Sequence, residues 1–288
     1  MVAGGVRDPN VNALVDAALA RGMEVLPLLL GEDRQPSLTW DLSADELCIN
    51  GEPVNIDSVF IRRDVFHQGG PDADYRALAW FSVLQGWLAA CPQVRVLNRP
   101  YLQKNTNKLH ALRLAQSVGF KIPPTVVTND IGLLQTRGKT EASVAKPVTG
   151  GGYCKSLDEL LTDLELRNGV AATPAIVQRK LGGSDVRIYS VNNNYVGFQV
   201  WADKIDYRES RHRHIELLPH ISEKVIRRLQ CLMEVMELDW CAADFKADSE
   251  SEDLTFLEIN SNPMFSVFDR VAQGVIMKAV LDFLSAGR

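Results

Sequence analysis

The stretch DFKADSESEDLTFLEINSN, residues 244–262, reads as two strands joined by an acidic turn. Side chains two apart on a strand share a face, so Glu258 and Asn260 project to one side of LEIN while Leu257 and Ile259 face the other. If the chain turns through Ser249, Glu250 and Ser251, Asp244 lies roughly across from Glu258, and Asp244, Glu258 and Asn260 form a cluster of hard oxygen ligands. Such a cluster suits magnesium, which is held by one or two carboxylates together with waters and substrate phosphates. The competing reading is a solvated acidic face on an edge strand. Against it stand the Asn262-Pro263 pair that follows directly and, upstream, two separated lysines and a glycine run of the kinds that phosphate sites need.

Around this stretch, 288 residues with 46% hydrophobic content can bury a large core in two or three lobes. The cysteines (Cys48, Cys91, Cys154, Cys231 and Cys241) are odd in number and include no CxxC pair. That argues against a disulfide framework or structural zinc and for a reducing compartment. No apolar run approaches the ~18 residues of a membrane span, and the amino terminus lacks the basic-then-apolar order of a signal peptide. A cytoplasmic protein without a membrane partner is expected. A net charge of -5 excludes a general nucleic-acid binder but leaves room for a local basic patch that holds a small anion.

The opening, MVAGGVRDPNVNALVDAALARGMEVLPLLL, reads as a strand, a Gly-Gly turn, a helix from Pro9 to Arg21 and a second strand. Asp8 and Pro9 fit an N-cap and a first-turn proline, and Gly22 fits the helix stop. Gly4-Gly5 reads as a tight turn rather than a phosphate cradle, because GxGxxG is absent. After a hairpin at Asn50-Gly51, IDSVFIRRDVF is a buried strand that brings Arg62, Arg63 and Asp64 to the carboxyl edge of a sheet, where open α/β sheets bind ligands. The alternative for both arginines is an ordinary surface position. A helix from Asp72 to Ala90 and a strand from Val94 to Leu97 complete a first lobe.

From Asn105 to Gly119 an amphipathic helix is expected, with Leu109, Leu112, Leu114 and Ala115 as its buried stripe. Lys108 sits in its first turn, where the helix dipole disfavours a cation unless an anion lies nearby. In SVAKPVTGGGY a strand ends at Lys146-Pro147 and a loop of Gly150, Gly151 and Gly152 follows. The loop amides can fold over phosphates that the lysine neutralises, or the loop is a solvent hairpin. The order GxxxxGK[ST] is missing, so this is not a P-loop. A helix from Ser156 to Arg167 precedes the strand TPAIVQRKL. The segment GGSDVRIYSVNNNYVGFQVWA is a hairpin turning at Asn192-Asn193-Asn194, with Asp185 and Arg187 on one face. Arg208, Arg211, His212, Arg213 and His214 then form a dense basic cluster, expected to hold an anion because such crowded like charges repel one another. A long helix from Ser222 to Glu237, the strand pair and a closing helix from Ser266 to Ser285 end the chain.

In this order the features resemble the ATP-grasp superfamily, in its branch of RimK-like and glutathione-synthetase-like carboxylate-amine ligases. The resemblance runs from Asn98 to Phe268 and rests on NKLHALRLAQSVGFKIPPTVVTN, AKPVTGGGY, the VQRKL segment, SDVRIY, and DFK followed by LEINSNP. It implies an α/β ATP-grasp fold: a pre-ATP-grasp α/β domain over 1–104, a lid subdomain over 105–180 and a C-terminal subdomain with the metal site over 181–288. The implied cofactors are ATP and Mg2+, as two ions for which Mn2+ can substitute. Lys108 and Lys146 would contact the ATP phosphates, and Gly150, Gly151 and Gly152 would close over them. Gln178, Arg179, Lys180 and Leu181 would form the hinge under adenine, with Asp185 near the ribose. Arg208 would sit at the acyl-phosphate centre and share catalysis with Lys146, and Asp244, Glu258 and Asn260 would hold the metal. Arg62, Arg63, Arg211 and His212 are candidate substrate contacts. The sequence departs from the family where Arg179 occupies a hinge position that is usually acidic, and where Met264, Phe265 and Phe268 replace a glycine-rich tail.

The implied activity is ADP-forming amide or peptide bond formation between a carboxylate and an amine, on an amino acid or a peptide, by a chain that could form a homo-oligomer. The alternatives are a kinase of this fold acting on a hydroxyl, and a nucleotide-binding regulatory module without turnover.

Overall fold

The computed structural model describes all residues except 32–34, 104–106, 141, 150–151, 163–165, 168–169, 248–252 and 287–288. The acidic turn expected at Ser249 to Ser251, and the helix start expected at Asn105, lie outside the described residues. No helix among the described residues is long and apolar enough to cross a membrane.

The chain opens with β1 (Val2–Gly5), α1 (Pro9–Ala20), β2 (Pro27–Leu30), the hairpin strands β3 (Leu38–Asp41), β4 (Glu46–Ile49) and β5 (Glu52–Pro53), then β6 (Ser58–Ile61), α2 (Pro71–Ala90) and β7 (Arg95–Val96). Strands β2-β1-β6-β7 make a wholly parallel sheet. Asp8 caps α1 through Asn10 N, and Asn50 and Gly51 take the positive φ angles that a tight hairpin turn demands. Gly4 and Gly5 correct the sequence reading, because they are the last residues of β1 and not a turn. A Cβ on Gly5 would lie 2.2 Å from the Asp64 carboxylate, so glycine there lets the ends of β1 and β6 close together.

Helix α3 (Lys108–Ser117) begins at the Asn107 cap, whose Oδ1 accepts from the backbone of Leu109 and His110. It ends at Gly119, whose φ of +92° suits glycine. Next come β8 (Thr125–Asp130), α4 (Ile131–Thr140), β9 (Ser143–Pro147), β10 (Lys155–Ser156), α5 (Leu157–Thr162), β11 (Leu166–Arg167) and β12 (Val170–Arg179). Strands β8 to β12 form a second, antiparallel sheet centred on β12. The helix expected from Ser156 to Arg167 does not run through to its end: among the described residues of that span α5 is helical, and Leu166–Arg167 pair as a strand with β12.

The third sheet, β15-β14-β13-β16-β17, is wholly antiparallel. It comprises β13 (Asp185–Val191), β14 (Asn194–Trp201), β15 (His214–Leu217), β16 (Trp240–Ala247) and β17 (Leu254–Asn260), with α6 (Glu223–Met236) packed beside it. The final segment is two helices, α7 (Ser266–Val271) and α8 (Val275–Ser285), and not the single helix expected. Gln273 and Gly274 break it with φ of 52° and 86°, which no α-helix accommodates.

Two cores tie these layers to the site. One joins β1, α1 and β6 to β13, β14, α7 and α8, so the parallel and third sheets share an interior. The other packs α3 and α6 on β13, β16 and β17, which seats α3 on the third sheet although it precedes the second in sequence. In this second core Phe256 is fully buried, with its ring 5.9 Å from Phe120 and 5.7 Å from Phe245. Phe256→Ala is expected to cost about 3–5 kcal/mol, read from the midpoint of urea unfolding.

Candidate active site

A cleft of about 1020 Å3 opens between the second and third sheets and reaches the carboxyl ends of β1 and β6. Its lining includes Lys108, Lys146, Gly152, the Gln178 to Leu181 segment, Asp185, Arg208, Asp244, Glu258, Asn260, Arg62 and Arg63. Gly150 and Gly151 lie outside the described residues. Arg211 and His212 are exposed and do not line the cleft, whereas their neighbour Arg213 does.

Register builds the acidic corner. Asp244 on β16 pairs with Glu258 on β17, and a register shift follows immediately at Phe245. Such a bulge re-aims side chains beside a site. Asn260 turns its amide to Asp244 Oδ2 at 3.4 Å. Glu258 Oε2 lies 3.7 Å from Lys108 Nζ, so the anion that the position of Lys108 in its helix calls for is Glu258. Burial would push Glu258 up, yet Lys146, Lys108 and Arg208 together hold it below the usual carboxylate range. Burial raises Asp244, against the pull of Arg187 and with repulsion from Glu258.

Two carboxylates and an amide fit Mg2+ better than a cation that needs a full protein cage. No three His, Cys, Asp or Glu side chains converge on a metal position among the described residues. Magnesium needs no such convergence, since it keeps several waters and shares substrate phosphates.

Arg187 braces the acidic corner, a role that the sequence does not assign to it. Arg187 Nη1 binds both oxygens of Asp244 at 2.9 Å and donates to Tyr207 Oη at 2.7 Å, while its Nε donates to Tyr189 Oη at 2.9 Å. The guanidinium also lies over the rings of Tyr189 and Phe268, at 5.2 and 5.4 Å. The alternation in SDVRIY placed Arg187 beside Asp185, but only the register against β16 reveals Asp244 as its partner. Asp185 is itself paired with Lys246 at 3.0 Å, and burial raises its carboxyl.

Two members of the basic cluster have acidic partners. Arg208 Nε and Nη2 grip Asp206 at 2.8 and 2.5 Å, and its guanidinium lies 5.4 Å over the Tyr153 ring. His214 bonds Glu216 on the surface at 2.6 Å. Despite its burial, Asp206 is held below the usual range by Arg208 and the Cys154 N–H. That pair therefore contributes at neutral pH, and its contribution is lost as pH falls through the depressed value. Gln178 is buried with its amide donating to Thr125 Oγ1 at 3.0 Å. A Cβ on Gly152 would meet Pro147 at 2.8 Å, so Gly152 lies against the end of β9 only because it is glycine.

Cys154 also lines the cleft, and burial pushes its thiol up to about 11, against the pull of Lys146. The reactive thiolate is scarce at neutral pH and grows only as pH nears that value. Iodoacetamide at pH 7.5 is expected to label the exposed Cys231 well before Cys154, as read by peptide mass spectrometry.

No family model matches the sequence, and no curated protein matches it. Solved structures do. PsnB, an ATP-grasp ligase complexed with a minimal precursor, superposes with a TM-score of 0.74 at 20% identity over 98% of each chain. The macrocyclase MdnC from Microcystis aeruginosa MRC, bound with precursor peptide MdnA, gives a TM-score of 0.74 at 15% identity over 99% of this chain and 98% of that one. VanG D-Ala:D-Ser ligase from Enterococcus faecalis gives 0.68 at 14% over 98% and 97%. At full coverage these likenesses establish the fold: the chain has the ATP-grasp fold.

Proposed function

We propose that the protein is an ATP-dependent carboxylate-amine ligase that activates a carboxylate as an acyl phosphate and transfers the acyl group to an amine. The observation that carries this reading is one cleft lined at once by Asp244, Glu258 and Asn260 and by Lys108, Lys146 and Arg208. A transferring phosphoryl group spreads negative charge over its oxygens, and preorganised cations beside acidic metal ligands answer that demand. Lys108 and Lys146 bind the nucleotide phosphates. Asp244, Glu258 and Asn260 hold Mg2+, which neutralises phosphate charge when bound. Gln178, Arg179, Lys180 and Leu181 form the adenine hinge, and Asp185 faces the ribose.

Arg208, aimed by Asp206, orients the incoming carboxylate and carries charge at the acyl phosphate. One carboxylate oxygen attacks the γ-phosphorus and ADP leaves. The amine then attacks the acyl carbon, phosphate departs, and the amine gives up a proton as the amide forms. The loop after β9, tightened at Gly152, excludes the water that would hydrolyse the acyl phosphate. In this reading the second sheet serves as the lid, within a division into a pre-ATP-grasp domain over 1–104, a lid subdomain over 105–180 and a metal-bearing subdomain over 181–288, although α3 at the head of the lid span packs on the third sheet.

We take the acid-bearing substrate to be a peptide. PsnB and MdnC are seen with precursors, and the cleft of about 1020 Å3 stands at the upper end of the range of small-molecule sites. Arg63, 42% exposed at the cleft mouth, is the candidate contact for that peptide. The five unpaired thiols support a cytoplasmic location. The test is Mg2+-dependent ADP release with candidate peptides, followed by mass spectrometry of the product. A dehydrated, amide-linked peptide is expected, and a stable phosphopeptide would contradict the reading.

A further inference from the structure

The six residues that follow the metal-ligand strand, 261–266, are gripped in succession by side chains of other elements. Asn98 Nδ2 donates to Ser261 O at 2.7 Å, and Tyr189 Oη donates to Met264 O at 2.5 Å. Asn10 Oδ1 accepts from the backbone of Phe265 and Ser266, at 2.7 and 2.9 Å. In the middle, Arg62 Nη1 donates to Asn262 O, Asn262 Oδ1 and Pro263 O at 3.1, 2.8 and 2.7 Å. Asn262 Nδ2 answers by donating to Ile61 O at 3.2 Å.

Arg62 is only 5% exposed, and its Nε is fixed by Asp8 Oδ2 at 2.8 Å, while Asp8 Oδ1 caps α1. Both groups lie just beyond strands of the parallel sheet, Arg62 after β6 and Asp8 between β1 and α1, and that sheet supplies none of the candidate metal ligands. The last pair of the β16–β17 ladder is Ala242 with Asn260, so the ladder that fixes β17 ends at the last ligand. A chain leaving a sheet frays unless its backbone groups are satisfied elsewhere.

We infer that Arg62, braced by Asp8, is a positioning residue: it clamps Asn262 and Pro263 so that Asn260 and Glu258 keep the geometry that binds a divalent cation with nucleotide. This rests on the nucleotide reading of the cleft. Direct contact with substrate is the competing role for Arg62, which also lines the cleft. A substrate contact needs charge at the cleft surface; a clamp needs the guanidinium fork, because one Nη meets three acceptors while Nε holds a fourth. Lysine supplies the charge without the fork.

The experiment is a Mn2+ titration followed by electron paramagnetic resonance, with a β,γ-imido ATP analogue, on the full-length wild type, Arg62→Lys and Asn262→Ala. Thermal melts and KM values for the acid accompany it. Arg62→Lys is expected to weaken Mn2+ in the nucleotide complex about tenfold, the size that partners of metal ligands carry. Asn262→Ala should move the same way while it leaves the Arg62–Asp8 pair in place, and it decides the matter if Arg62→Lys does not fold. Wild-type Mn2+ affinity in a folded Arg62→Lys, with a raised KM for the acid or with a lowered melting temperature alone, overturns the inference. A wild type that binds no Mn2+–nucleotide complex overturns the nucleotide reading itself.

Discussion

Glu258→Gln is expected to leave a folded protein whose ADP release falls by roughly two to three orders of magnitude, the loss typical of removing one preorganised electrostatic group from a reacting centre. Glutamine keeps the shape of the side chain and its place opposite Asp244 on the β16–β17 ladder. What it removes is the charge that Lys108 answers at 3.7 Å and that Lys146 and Arg208 help keep ionised. Without it the corner keeps one carboxylate, and Lys108, Lys146, Arg208 and Arg187 face it. Cation binding should then fail while the ladder, and so the fold, persists. The check is a coupled ADP assay beside a circular dichroism melt, and turnover within threefold of wild type would be the contrary result.

Arg187→Met is expected to cost as much stability as Phe256→Ala. The guanidinium is 7% exposed and bonded to Asp244, Tyr189 and Tyr207. Methionine fills much of its volume between the Tyr189 and Phe268 rings but leaves Asp244 buried without its partner. Breaking a buried pair from one side costs about 3–5 kcal/mol, whereas replacing both members by neutral groups costs far less. Arg187→Met is therefore expected to lose about that amount in urea unfolding, and the double variant Arg187→Met/Asp244→Asn to regain part of it. A double-mutant cycle with no coupling would contradict the assignment of Arg187 as the counter-ion of Asp244.

What could be read from the sequence, and what could not, divides on whether a partner lies nearby in the chain. The period of two in LEIN puts Glu258 and Asn260 on one face, and local turn and cap chemistry places Asp8, Asn50-Gly51 and the ends of α6. The misplacement of Lys108 against its helix dipole was a legible sign of a nearby anion, which is Glu258. Arg187 was in view in SDVRIY, but its role depends on a register with β16 that spans 57 positions. Arg62 shows the same limit more strongly: its acceptors lie 200 residues away, and two arginines at a strand end look like surface charge. Arg211 and His212 lie exposed outside the cleft lining for a different reason, since density of charge says nothing about which side chains turn inward. Arg208 turns in because Asp206, two residues earlier, takes its fork. The final helix broke because left-handed backbone at Gln273 is rare for a side-chain-bearing residue and carries no local signature.

The central claim is that a carboxylate is activated in the cleft between the second and third sheets. The most direct measurement is hydroxylamine trapping: ADP release from Mg-ATP is followed with hydroxylamine present, across a panel of peptides, amino acids and small carboxylic acids. Hydroxylamine intercepts an acyl phosphate whatever the natural amine is. A hydroxamate formed in step with ADP by the wild type, and absent with Glu258→Gln, is the predicted result. ADP formed with a phosphorylated hydroxyl and no hydroxamate would contradict the account and make the protein a kinase of this fold.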